Sequence, residues 1–210
     1  MTIIAAADGS ALGNPGPAGW AWYVDESCWA AGGWPESTNN RGELTALLEL
    51  LRATAHTGEA LLVQADSQYV INSVTRWMKG WKRRGWRKAD GKAVMNADLM
   101  KALDEALVGR DVRFEWVKGH AGHIANERAD VLARAAATAF QRGTAVPSGP
   151  GWTRGGGEVP APGATAAASS ESATTPANGV VPGSTVARRA ALRAQERTEH
   201  DQREDPSTLF

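Results

Sequence analysis

Cysteine is almost missing from this chain of 210 residues. Cys28 stands alone, so no internal disulfide can form, and a reducing compartment suits the chain. Long apolar runs are missing as well. Nothing approaches the roughly 18 residues that a membrane helix needs. The first residues carry no positively charged stretch leading into an apolar one, so no signal peptide is expected and the expected location is cytoplasmic. Net charge is zero, with 23 Lys or Arg against 23 Asp or Glu, which argues against a generally basic nucleic-acid binder. The distribution is uneven, however: eight of the cations fall within residues 76–92, where only Asp90 opposes them.

Residues 1–140 hold nearly all the aromatic, β-branched and leucine content and form the expected folded domain. A domain of that size can bury about two-thirds of its unfolded surface. From Gln141 the chain turns to Gly, Pro, Ala, Ser and Thr. Residues 141–185 read as a disordered linker, and 186–210 as a charged tail with Ser184 capping a short helix near 186–193.

Within the domain, residues 3–7 form a short apolar strand closed by Asp8 and Gly9. A carboxylate there either caps a turn or faces something positive, because burying it alone costs desolvation energy. Residues 19–24 and 28–34 follow as strands joined by short turns, an antiparallel meander. Thr38-Asn39-Asn40 introduces a helix over about 41–55. Glu43, Ala46, Leu47 and Leu50 share one of its faces, so Glu43 heads the stripe that packs. Residues 60–65 repeat the design of the first strand and are closed by Asp66. A strand that follows a helix usually runs parallel to the one before it, which places Asp8 and Asp66 at one edge of the sheet. A short helix near 68–74, a helix near 96–107, a strand at 112–117 and a helix near 125–138 complete the domain. On the last helix Asp130 lies beside an alanine-rich face, one turn from Asn126.

Oxygen ligands from several rigid elements, with no cysteine or paired histidine, select a hard cation such as Mg2+ or Mn2+. Four crowded carboxylates could not all stay ionised without one. That arrangement suits two-metal phosphodiester chemistry. Residues 76–88 interleave Trp77, Trp81 and Trp86 with seven cations. Trp77 and Trp81, four apart, are spaced to pack inward. The cation density suits a nucleic-acid backbone better than a merely solvated face.

Five motifs occur together and in order: Asp8-Gly9-Ser10 with Gly13-Asn14-Pro15-Gly16, Thr38-Asn39-Asn40-Arg41-Gly42-Glu43, Asp66-Ser67-Gln68-Tyr69-Val70, Trp81-Lys82-Arg83-Arg84-Gly85-Trp86, and Gly119-His120-Ala121-Gly122-His123 through Asn126 to Asp130. The set resembles bacterial type 1 ribonuclease H over essentially residues 1–140. The resemblance implies a ribonuclease H-like α/β fold, a five-stranded mixed sheet in which an antiparallel meander joins parallel strands, flanked by helices. It also implies an endonuclease that cleaves the RNA strand of RNA–DNA hybrids and leaves 5′-phosphate and 3′-hydroxyl ends. Asp8, Glu43, Asp66 and Asp130 match the family's ligands for two Mg2+ ions, for which Mn2+ can substitute. His120 matches a residue that moves protons or helps release product. A lone loop histidine carries little weight by itself, and His123 competes with it until the resemblance selects His120.

On the same resemblance, Asn14, Asn39, Asn40 and Gln68 match groups that touch the hybrid's minor groove, and Thr38 a hydroxyl beside a DNA-strand phosphate. Trp81, Lys82, Arg83, Arg84, Trp86, Arg87 and Lys88 match the basic protrusion, and Asn126 joins the substrate-binding set. Met100 and Ala11 depart from the pattern, standing where well-studied relatives carry a tryptophan and a cysteine. A catalytically silent module that binds hybrids or double-stranded RNA is the alternative, and the intact carboxylates count against it. An integrase-like member of the superfamily is disfavoured by the histidine loop and the basic protrusion. A monomer is expected. Ser207-Thr208-Leu209-Phe210 resembles part of the peptides that dock in the bacterial replication clamp, which makes Leu209 and Phe210 candidates for binding a replication protein.

Overall fold

The computed structural model describes residues 1–119 and 121–154. His120, residues 155–185 of the expected linker, the helix expected near 186–193 and the Leu209-Phe210 motif lie outside the described residues. Five strands form one mixed sheet: β1 (Thr2–Ala11), β2 (Gly16–Asp25), β3 (Cys28–Ser37), β4 (Ala60–Ala65) and β5 (Val112–Trp116). Their order is β3-β2-β1-β4-β5. Short turns make β1 to β3 antiparallel, whereas α1 (Asn39–Ala53) carries the chain across to β4, which runs parallel to β1 and to β5. This is the expected sheet.

β1 outruns its expected end. β2 keeps pairing with it, Asp8 opposite Ala21 and Ala11 opposite Ala18. Asp8 therefore sits inside a central strand, 6% exposed, instead of closing one.

One face of the sheet packs Ile3, Ala5, Ala7, Leu61 and Val63 against α1 and against α4 (Ala97–Ala106). Met100 of α4 is wholly buried, so this departure from the family pattern belongs to the core. On the other face α5 (Ile124–Arg142) lies against β1 to β3 through Ala129, Ala133 and Ala136. Small residues are needed there: a Cβ at Gly19 would overlap the Ala133 carbonyl and lie 2.7 Å from Ala137 N. Between β4 and α4, the chain forms α2 (Gln68–Asn72), a π-helical turn (Ser73–Trp77) and α3 (Met78–Arg83) in succession, longer than the single short helix expected. No helix among the described residues is long and apolar enough to cross a membrane.

The packed domain does not stop near residue 140. Beyond α5 the chain returns to the edge strand β3, where Ala31 N–H donates to the Ser148 carbonyl (3.1 Å) and Gly151 N–H to the Trp29 carbonyl (3.0 Å). Trp152 enters the core beside Trp22 and His56. Thr153 then donates to the Ser27 carbonyl (2.8 Å), and Arg154 pairs with Asp25. Residues up to 154, expected as linker, are thus part of the domain. Composition misleads here because one indole can bury 150–250 Å² whatever the Gly and Pro content around it.

Candidate active site

Close backbone packing assembles the acidic centre. A Cβ at Gly9 would overlap Glu43 N and lie 2.6 Å from Gly42 C, so the first turn of α1 presses on β1 directly beside Asp8. Thr38 caps that turn, its hydroxyl accepting from Arg41 N–H at 3.3 Å. β4 pairs with β1 in a register that sets Ala6 opposite Gln64, and two residues further on each chain carries its aspartate, Asp8 and Asp66. The segment leaving β5 passes close by, since a Cβ at Gly119 would meet Asp66 Oδ2 at 2.6 Å. Asp130 comes from α5 on the opposite face and lies 3.4 Å from Arg134.

The charges in this centre repel one another. Burial, followed by the charges of Asp66 and Glu43, pushes the Asp8 carboxyl up to about 8; Asp130 adds to the rise, and a bond from Gly9 N–H (2.7 Å) opposes it. Burial likewise pushes Glu43 up to about 7, with Asp66 adding to it, against the hydrogen bonds from Ser67 and Asn39. Carboxyls that hold protons this strongly can exchange them for a cation. The donor set, all hard oxygen, fits a divalent ion of the Mg2+ type. As they stand, no three Asp, Glu, His or Cys side chains among the described residues are close enough to share one ion. Both oxygens of Glu43 are instead occupied, Oε1 by Asn39 Nδ2 at 2.8 Å and Oε2 by Ser67 Oγ at 2.6 Å.

A stability prediction follows from the two raised carboxyls. The folded chain holds protons that the unfolded chain has released, so without metal stability should fall as pH rises from about 4 through the folded values near 7 and 8. Urea melts in EDTA should show a loss of a few kcal/mol between pH 5.5 and 9. Mg2+ at pH 9 should restore much of it. A metal-free protein more stable at pH 9 would contradict this electrostatic picture.

The expected substrate residues divide. Asn14 Oδ1 accepts from Asn39 N–H at 3.3 Å, which joins two of the amides at the mouth of the centre. Asn40 is half-buried and Gln68 exposed. Asn126 is buried, and its Oδ1 lacks a partner among the described residues. Trp81, which the resemblance places in the hybrid-binding protrusion, packs inward as its spacing with Trp77 indicates: it is 4% exposed and lies on Trp77 (centroids 5.7 Å apart), so it roots the protrusion and offers no surface. Trp86 is half-buried in a left-handed conformation, φ 63°, in the turn after Gly85. Lys82 is paired with Asp104 (2.6 Å), and Arg84 and Arg87 each donate to a backbone carbonyl. Arg83 and Lys88 make no ion pair among the described residues.

Three contacts escaped the sequence. Ser67 both caps α2, accepting from Val70 N–H, and holds Glu43; a serine opening a helix is a readable cap, but its second partner is not. Arg41 forks onto Asp98 at 3.2 and 2.6 Å. Trp116, half of it exposed, donates its indole N–H to the Asp66 carbonyl at 3.0 Å. The last two join residues some fifty positions apart, which no local pattern encodes.

A mixed sheet of this order, with Asp66 just past β4, Glu43 of α1 and Asp130 of α5 gathered about the buried Asp8 of β1, suits a nuclease of the hydrolase class. The RNase H family model matches residues 2–138, and the chain belongs to that family. The ribonuclease H of Tropheryma whipplei (strain Twist) is 56% identical over 151 residues, 72% of this chain and 94% of that one. That of Paracoccus denitrificans is 47% identical over 147 residues, 66% of this chain and 94% of its own. Among solved structures, LC9-RNase H1, a type 1 RNase H with the type 2 active-site motif, is 31% identical with a TM-score of 0.57, over 74% of this chain and 79% of that one. Enzymes of this family generally work with divalent metal ions.

Proposed function

We propose that this chain hydrolyses the RNA strand of RNA–DNA hybrids, using two divalent ions, Mg2+ in the first place with Mn2+ able to substitute, and leaves 5′-phosphate and 3′-hydroxyl ends. The observation that carries this is the Asp8 carboxyl, its proton affinity raised first by burial and then by Asp66, Glu43 and Asp130, in a chain of the RNase H family. When bound, the ions would favour ionisation of the attacking water and offset charge on the leaving oxygen.

Everything else falls to the chain's own residues. Asp8, Glu43, Asp66 and Asp130 would hold the ions. Asn39 and Ser67 orient Glu43. Asn14, Asn39, Asn40 and Gln68 present amides that both donate and accept, which suits a 2′-hydroxyl and distinguishes RNA from DNA. Thr38, at the half-buried start of α1, would face a DNA-strand phosphate. His120 would move a proton during turnover, so His120→Ala should slow the enzyme without silencing it.

The deciding experiment is a digestion panel with Mg2+, using labelled hybrid, duplex RNA and duplex DNA. Cleavage confined to the RNA strand of the hybrid is expected. Hybrid binding without cleavage would make the chain a silent module instead.

The protrusion gives a second expectation. Replacing Arg83, Arg84, Arg87 and Lys88 by neutral residues should reduce the log–log salt slope of hybrid binding by roughly two to three. The cost should fall mostly on KM, because these groups grip substrate and transition state alike. Lys82 is left out because Asp104 already neutralises it. An unchanged slope would make the segment a solvated face.

A further inference from the structure

Each oxygen of the Glu43 carboxylate accepts a hydrogen bond from a neighbouring side chain. Its Oε2 takes a short hydrogen bond from Ser67 Oγ (2.6 Å) and its Oε1 one from Asn39 Nδ2 (2.8 Å). Bonds to a carboxylate are among the stronger ones in proteins, so they are not given up without replacement. Nor can the backbone swing to release them, because Glu43 N and Gly42 are wedged against Gly9. Any exchange must be made by side chains alone.

The two donors are not equivalent. Ser67 sits between Asp66 and α2, and its hydroxyl oxygen also accepts from Val70 N–H at 3.3 Å. A hydroxyl has one proton and two lone pairs, so capping the helix and holding Glu43 do not compete. Asn39 stands at the start of α1, where its own N–H meets Asn14 Oδ1 and its amide is only half-buried. One amide N–H is committed to Glu43, and the same amide is a group expected to meet the hybrid. Among the described residues, no three acidic side chains are meanwhile close enough to share an ion.

We infer that Asn39 is a latch on Glu43: it holds Oε1 away from the acidic centre in the free protein, and its transfer to the hybrid frees that oxygen for a divalent ion, so that hybrid and metal bind cooperatively. Asn39 is then a positioning residue acting through Glu43, and Ser67 keeps the carboxylate oriented while the latch is open. The inference rests on the proposed metal site. It adds to that site an order of events, in which the hybrid strengthens the hold of Glu43 on the ion. Coupling of this kind is reciprocal: a hybrid that helps the metal is helped by it equally.

The test is an Mn2+ isotherm on the hybrid-free protein by calorimetry at pH 9, where proton competition is small, for the wild type and Asn39→Ala. Thermal melts check that both are folded. Loss of one hydrogen bond to a charged group should make Mn2+ bind the variant about ten- to a hundredfold more tightly than the wild type. Hybrid binding in EDTA, followed by fluorescence anisotropy, should weaken. If Asn39 only braced Glu43 in its binding position, the variant would bind Mn2+ more weakly, and that sign, or an unchanged isotherm, overturns the latch. Asp8→Asn separates the two levels. Should it bind Mn2+ as well as the wild type does, the metal site itself is misplaced and the latch falls with it.

Discussion

Asp8→Asn should lower cleavage of a labelled RNA–DNA hybrid by several orders of magnitude, and in EDTA should leave a protein more stable than the wild type. Both effects come from one cause. Asp8 is the buried hub of the acidic centre, with Asp66, Glu43 and Asp130 all raising its proton affinity. An amide of the same shape cannot offer a charged oxygen to an ion, so chemistry is lost. The same amide also removes the group that most opposes folding when no ion is present. At pH 8 the gain should be of the order of a few kcal/mol, which for a domain of this size raises Tm by several degrees. Glu43→Gln and Asp66→Asn should lose cleavage as well. A variant that cleaves at the wild-type rate, or melts well below the wild type in EDTA, would end the case for Asp8 as the centre.

Trp152→Ala should be the most damaging single change to the fold outside the site. The side chain is 7% exposed and lies in the main core between Trp22 and His56. Truncating a buried tryptophan typically removes 3–5 kcal/mol, a large share of the roughly 5–15 kcal/mol that holds a domain together. Trp152→Phe should recover part of the loss. Ending the chain after Arg142 should cost at least as much, since it also removes the hydrogen bonds from Ala31 and Gly151 and the Arg154–Asp25 pair. Ending it after Arg154 should leave the melt close to that of the full chain. Urea denaturation of these four proteins decides the matter: if Trp152→Ala unfolds at the wild-type midpoint, residues 143–154 are an appendage after all.

Much of the site was legible because its chemistry is local in sequence. Asp8 and Asp66 each end an apolar run, Glu43 heads a helical stripe, and Asp130 borders an alanine face, and each pattern can be recognised within about ten residues. Where the reading missed, a partner far along the chain had intervened. β2 extends β1 past Asp8. Asp104 neutralises Lys82 across 22 positions.

By itself, then, the sequence determined the order of the strands and the mixed sheet, because periodicity and capping act over one or two turns of chain, and its motifs carried the resemblance to the family. Tertiary structure alone decided how strongly those carboxylates hold protons, which donors occupy Glu43, and where the domain ends. Those properties depend on distance and burial. Gly9 against Glu43, Gly19 against α5 and Trp152 beneath β3 bring together groups whose separation along the chain says nothing of their separation in space.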